Sequence, residues 1–408
     1  MTDQNAYPER HYIKKWQIGK RKVWLAILGL TVFNFGASTC WASPRSPRVA
    51  ELLTPGIASN LALSDIPANE WIKLYQPLQL DWRRQGHSGM AFDSRRRRLI
   101  LFGSDTHNRN WDNRVHIFDL TTRRWSSPLP EYGKETYRKD AQGNLIAGPE
   151  DQPIPVAMHT FDSLVYDPKL DSLIVVGQPA HNPAIRSIKG IRTNPAWRFD
   201  LATKSWHLFP NDSSNPPSLF GGSLAYDRKR DTLVAYKHGI WEMGPDRTTW
   251  QKTTRESHHE IHHNMEFDTK HGYLVVFGDY SKTNTVWIYH PNPVPGMAGS
   301  WEQRSPTGSA PPPGETLPVA YDEDNGLFLL AADESYKKKK NLRGPAQTYI
   351  YDSSKNHYYH LPKAKLPVLG MNYMMTYDTT EKVFLLVTGD WKVTPTVWAL
   401  RLNPALLQ

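Results

Sequence analysis

Residues 89–103 read GMAFDSRRRRLILFG, and the phrase returns five more times along the chain. It recurs as SLVYDPKLDSLIVVG (163–177), SLAYDRKRDTLVAYK (223–237) and NMEFDTKHGYLVVFG (264–278). The last two copies are PVAYDEDNGLFLLAA (318–332) and MMTYDTTEKVFLLVT (374–388). Each is a small or apolar strand, then Tyr-Asp or Phe-Asp, a short polar turn, and a strongly apolar strand. The aspartates are Asp93, Asp167, Asp227, Asp268, Asp322 and Asp378. At the first position of a β-turn a carboxylate accepts backbone N–H bonds from the residues ahead of it. The phrase therefore predicts six β-hairpins.

A second phrase follows the hairpin in five copies. HIFDLTTRRW ends at Trp125, WRFDLATKSW at Trp206, WEMGPDRTTW at Trp250 and YIYDSSKNHY at Tyr358. WIYHPNPVPGMAGSW, ending at Trp301, carries a Pro/Gly insertion in its turn. Each of these reads as a further hairpin, so a repeat supplies four strands. The sixth repeat stops after TVWALRL without its fourth strand, and EWIKLY (70–75), with Trp71, stands unpaired before the first. The simplest ring takes that N-terminal strand into the last blade and hides the edges an open ring would expose. The reading is all-β, six blades in one domain.

A four-stranded repeat with a Tyr/Phe-Asp turn, an apolar strand ending in Gly103, Gly177 or Gly278, and a fourth-strand tryptophan resembles the kelch motif of β-propellers. The chain is thus similar to kelch-repeat proteins and to the central domain of galactose oxidase from about residue 70 to 402. It departs from them in reducing the kelch glycine doublet to one glycine or none. The resemblance implies fold and leaves function open, since such propellers include binding proteins, oxidases and bacterial sialic-acid mutarotases.

The N-terminus reads differently. Lys14, Lys15, Lys20, Arg21 and Lys22 precede an uncharged run, VWLAILGLTVFNFGASTCWA (23–42). That is the layout of a secretory signal, with an uncleaved membrane anchor as its rival. The expected organisation is a signal peptide or anchor over 1–42, a linker over 43–65 and the propeller over 66–408. Export to the periplasm or the extracellular space follows, with a membrane as partner only if the segment is uncleaved. Cys40, the chain's single cysteine, lies inside it. Residues 43–408 therefore have no disulfide, and the Tyr–Cys cofactor of galactose oxidase is excluded. The formal charge is +9, and residues 43–408 keep 43 Lys/Arg against 38 Asp/Glu. That balance gives no footprint for nucleic acid.

Nine of the twelve tryptophans after residue 42 fall on repeat positions and read as packing between blades. Trp82, Trp111 and Trp391 fall outside the pattern. The histidines distribute differently. In a propeller, the lead-in to each blade and the connection from second to third strand open on the same face. His87, His159, His258, His259, His262 and His263 precede first strands, and His107, His181 and His238 lie in the other connections. Counting six residues back from each turn aspartate gives His87, Phe161, Gly221, His262, Thr316 and Asn372, the expected lining of the channel mouth. Asp105, Asp279, Asp333 with Glu334, and Asp390 stand at equivalent points just after second strands.

The candidate ligand-binding set is therefore His87, Asp105, His107, His159, His262, Asp279 and Asp390, with Trp111, Trp391, Arg186 and Arg192 from the neighbouring loops. No cofactor is required. A divalent metal ion held by His87, His262, Asp105 and Asp279 is the one candidate. Arg186, Lys189, Arg192, Lys337–Lys340 and Arg343 make part of the rim basic. The favoured reading is an exported propeller that binds an acidic glycan or a partner protein at this face. The alternatives are a cell-envelope carbohydrate-active enzyme, such as a lyase, epimerase or mutarotase, and a structural assembly scaffold.

Overall fold

The computed structural model describes residues 56–407 apart from 60, 80, 84–85, 178, 180–181, 192–194, 210–213, 217–218, 279–284, 315, 334–343 and 390–393. Six antiparallel sheets form a six-bladed β-propeller. Blade 1 runs Gly89–Asp93, Arg98–Phe102, His116–Asp119 and Arg124–Ser126. Blades 2, 3 and 4 open with Leu164–Asp167, Ser223–Asp227 and Asn264–Asp268. Blades 5 and 6 open with Val319–Asp322 and Met375–Asp378. These first strands neighbour one another in chain order, and the sixth returns to the first.

The turns behave as their chemistry requires. Asp93 Oδ1 accepts from the amides of Arg95 and Arg96 at 3.0 and 3.1 Å. Asp227 repeats this with Lys229 and Arg230 at 3.0 and 3.1 Å, and Asp322 with Asp324 and Asn325, both at 3.0 Å. Four residues past each aspartate the backbone turns left-handed: Arg97, Asp171, Asp231, Gly272, Gly326 and Lys382 all have positive φ. Only two of the six are glycine, so the turn geometry, set by the aspartate, overrides the local preference.

Ile72–Pro77 pairs with Thr396–Leu400, and the N-terminal strand closes the last blade as the sequence predicts. Trp71, 7% exposed, packs in the cluster between blades 5 and 6, and its indole donates to Thr348 Oγ1 at 2.8 Å. A further strand, Gly56–Ala58, lies on the outer edge of that sheet, from a segment the sequence assigned to a linker. The core is six apolar clusters, one in each gap between neighbouring blades. Trp125 and Trp197 are fully buried there. Trp82 joins them, stacked on His116 at 3.9 Å and edge-on to Trp125 at 5.1 Å. The expected signal segment, 1–42, lies outside the described residues. Among the described residues no helix is long and apolar enough to cross a membrane.

Candidate functional site

The lead-in segments tie the mouth of the channel together through their backbones. The amides of Thr160 and Phe161 donate to the His87 carbonyl at 2.9 and 3.0 Å. His262 N–H donates to Gly221 O at 2.8 Å, and Thr316 N–H to His262 O at 3.0 Å. Phe161, Gly221, His262 and Thr316 all have positive φ. Five of the positions six residues before a turn aspartate thus form a belt tied in two runs, His87–Phe161 and Gly221–His262–Thr316, four of them bent left-handed. For phenylalanine and histidine that conformation is strained and is held by the surrounding bonds.

Above this belt the sequence-predicted residues of blades 1 and 2 come together. Gly103, which ends LILFG, has φ +115°, and a Cβ there would stand 2.3 Å from Thr160 Oγ1. Thr160 needs that space, because its hydroxyl donates to Phe102 O at 2.7 Å and accepts from Gly89 N–H at 2.9 Å. The chain therefore folds tightly over Thr160 into the short Thr106–Asn108 turn and delivers Asp105 and His107 beside His159. The rings of His87 and His159 stack at 4.2 Å, and His107 meets them at 5.3 and 4.7 Å. Asp105 Oδ1 lies 3.3 Å from His87 Nδ1 and 4.0 Å from His159 Nε2. Thr106 Oγ1 lies 3.0 Å from the same His159 nitrogen. His159 is buried, His87 partly so, and His107 exposed, so the cluster opens on one side.

His262 takes a different place. The sequence sets it opposite His87 as a partner ligand. The ring of Phe161 packs against both, 5.5 Å from His87 and 5.0 Å from His262, and His262 Nδ1 lies 2.9 Å from the Tyr373 hydroxyl. Phe161, Phe220, His262 and Tyr373 form an aromatic plug, with centroid distances of 5.0 Å for Phe161–Phe220 and 5.6 Å for Phe161–Tyr373. Burial, then the charges of His87 and Lys237, lower the His262 pKa to about 4. His263 turns away from the mouth, but toward blade 3 and not into its own blade: it is fully buried, with Nδ1 2.8 Å from Ser223 Oγ and its ring 4.8 Å from that of Tyr236. Its pKa falls well below the usual value, chiefly through burial.

The remaining candidates separate. Trp111 is half-buried against the core of blades 1 and 2, with the Lys134 ammonium over its ring at 5.7 Å. Arg186 is exposed after a short turn in blade 2. Asp333 accepts the amides of Leu369 and Gly370 at 2.8 and 3.1 Å, which fastens blade 5 to the lead-in of blade 6. Asp279, Asp390, Trp391, Arg192, His181, Glu334, Lys337–Lys340 and Arg343 lie outside the described residues. Lys237 was not singled out in the sequence. Its ammonium lies 5.4 Å from the Phe220 ring, whose other neighbours include His159 at 5.6 Å, and burial lowers its pKa to about 8.

Beside this plug, the first strands of the blades enclose a cavity of about 400 Å³, which Tyr373 also lines. It holds Asp162, Glu266, Arg228 and Glu323, the last two paired. Asp162 accepts the Met265 amide at 2.9 Å. Both acids are partly exposed to the cavity, yet protein surrounds them, and burial raises Asp162 to about 7 and Glu266 to about 8. The signal for Glu266 was present. Two residues before the turn aspartates stand Ala91, Val165, Ala225, Glu266, Ala320 and Thr376, and only one of these is charged.

No family model matches the chain, and no curated protein is similar to it. Among solved structures it is similar to a structural-genomics protein of unknown function from Bacteroides thetaiotaomicron. The two share 10% identity and a TM-score of 0.47, over 86% of this chain and 76% of that one.

Proposed function

We propose that this chain is an exported, kelch-like propeller that binds an anionic ligand, an acidic glycan first of all, at the loop-rich end of its ring. The observation that carries this reading is the convergence of His87, Asp105, His107 and His159 from two blades into one cluster open on the His107 side. Three imidazoles stand at that opening, and Arg186 is exposed on a loop of blade 2, which favours a carboxylate-bearing partner. Loops on a rigid scaffold are where propellers place recognition.

The test is calorimetric titration of the protein with uronate-containing oligosaccharides against neutral ones. Saturable binding of the acidic set, weakened about tenfold or more by His107→Ala, supports the reading. Absence of saturable binding, or binding that His107→Ala leaves unchanged, overturns it. The 3.3 Å approach of His87 to Asp105 favours a second reading, carbohydrate acid–base chemistry at the same cluster. Chromatography of the bound oligosaccharide after incubation separates the two, because only an enzyme alters it. Export makes its own claim: N-terminal sequencing of the protein from its host should begin near Ser43, and an intact Met1 on cytoplasmic protein would defeat it.

A further inference from the structure

We infer that His87, His107 and His159 form a site for one divalent first-row transition-metal ion, with Asp105 orienting the ligands. The inference rests on the ligand-binding reading only for what the ion would do there. One nitrogen from each imidazole lies within 4.8 Å of the other two. Nitrogens bound to zinc at about 2.0–2.1 Å sit roughly 3.3 Å apart in a tetrahedron, a contraction that side-chain rotation supplies. Imidazole sets select zinc, copper, nickel and their neighbours over the hard cations calcium and magnesium.

Asp105 decides between a cation and an anion. Three imidazoles alone would also suit an anion once protonated. A carboxylate 3.3 Å from one of them and 4.0 Å from another opposes an anion seated directly among the imidazoles and favours a cation there, through which an acidic ligand would reach the cluster. At 3.3 Å from His87 Nδ1 the Asp105 carboxylate is near enough to fix the tautomer of a metal-bound histidine once the rings close on an ion, which leaves Nε2 for that ion. The three ligands arrive on separate supports. His87 comes from the lead-in of blade 1, His107 from the turn that Gly103 permits, and His159 from the connection to blade 2. Their backbones are fixed by the bonds of Thr160 and Phe161 to the His87 carbonyl and of Ser104 N–H to Met158 O at 2.9 Å. The fourth position faces the exposed His107 side, where a ligand carboxylate would complete the coordination.

The probe is zinc alone, titrated by calorimetry into the chelator-stripped protein with no glycan present. One equivalent should bind saturably, and magnesium and calcium should not. His107→Ala removes an exposed ligand without disturbing the core and should weaken zinc binding at least tenfold. Asp105→Asn, which keeps the shape and loses the charge, should weaken it about 10- to 100-fold. His290→Ala, at a histidine paired with Glu302 elsewhere on the ring, should change nothing. His159 is buried, so His159→Ala is informative only if its circular dichroism matches the parent, and the exposed His107 carries the decision otherwise. No saturable zinc uptake, or uptake that His107→Ala leaves intact, overturns the site. Glycan titration repeated in chelator keeps the two claims apart. Glycan binding without zinc binding sinks this inference alone, and zinc binding without glycan binding sinks the reading of the ligand.

Discussion

The chain carries two groups of histidines outside its strands, one local and one dispersed, and they end differently. HHEIHH, residues 258–263, concentrates four histidines in six residues, yet the fold disperses them. His258 stacks on Trp287 at 3.5 Å, and His259 Nδ1 lies 3.0 Å from the Tyr236 hydroxyl. His262 joins the aromatic plug, and His263 is buried against blade 3. Blades 1 and 2 scatter His87, His107 and His159 over seventy-odd residues, yet those three meet. Neighbours along an extended chain point to opposite sides, whereas equivalent loops of adjacent blades open on one point. In a propeller, chemistry collects across blades, and a dense local run is spent on packing.

Opening the ring would break the comparison at its base, because both groups depend on closure. Trp71→Ala empties a buried indole site between blades 5 and 6 and should cost about 3–5 kcal/mol in urea unfolding. Ligand and zinc binding should then be lost at a temperature where the parent is still folded. An unchanged midpoint would mean that the N-terminal strand does not hold the ring.

The contrast between the two groups is sharpest in single histidines. His263→Ala deletes a fully buried ring, while Ser223 keeps its bond to the carbonyl of residue 263, and should cost about 2–4 kcal/mol. His107→Ala should stay within about 0.5 kcal/mol of the parent, as for an exposed side chain. Equal losses at the two positions, read from parallel denaturation curves, would erase the distinction. His258→Ala falls between them: it removes a stacked pair with Trp287 and should cost roughly 0.5–1.5 kcal/mol.

The turns and the strand-four tryptophans were legible because they rest on local chemistry that repeats, and the closing strand because the last repeat lacks its fourth strand. Asp93 and its five equivalents announce a hairpin whatever surrounds them. The cluster of His87, Asp105, His107 and His159 was legible for a related reason, since loop position in a known ring places a residue on a known face. The plug was not. Phe220 and Tyr373 look like any core aromatics, and although the count from the turn aspartates puts Phe161 at the mouth, only three-dimensional packing shows it lying against both His87 and His262. The strand Gly56–Ala58 is too short for a periodic signal, and Asp162 stands where the other blades have Ser88, Gly222, His263, Leu317 and Tyr373, with no shared pattern to depart from.

The smallest expected effect is the pH dependence of stability, because the plug and the cavity beside it oppose each other. His262, with a folded pKa of about 4 against about 6.5 unfolded, stays neutral in the native state while the unfolded chain takes up a proton. Its stabilisation is present above pH 6.5 and is lost as pH falls toward 4; His263 acts in the same direction. Asp162 and Glu266 have the opposite sign. Their folded pKa values of about 7 and 8 let the native state hold protons that the unfolded state releases near pH 4. Their contribution is present in acid and is lost as pH rises through 7 and 8. The acids are partly exposed, so each side of the balance is modest. Between pH 4.5 and 6.5 the two pairs nearly cancel, and the unfolding free energy should change by no more than a few tenths of a kcal/mol per pH unit. From pH 6.5 to 8 the histidine contribution is complete, and stability should decline. Glu266→Gln should flatten that decline, and His262→Gln should extend it down toward pH 4.5. Chemical denaturation across this range decides the matter: a stability that climbs from pH 6.5 to 8, or a Glu266→Gln curve parallel to the parent, would show that the cavity acids are not held protonated.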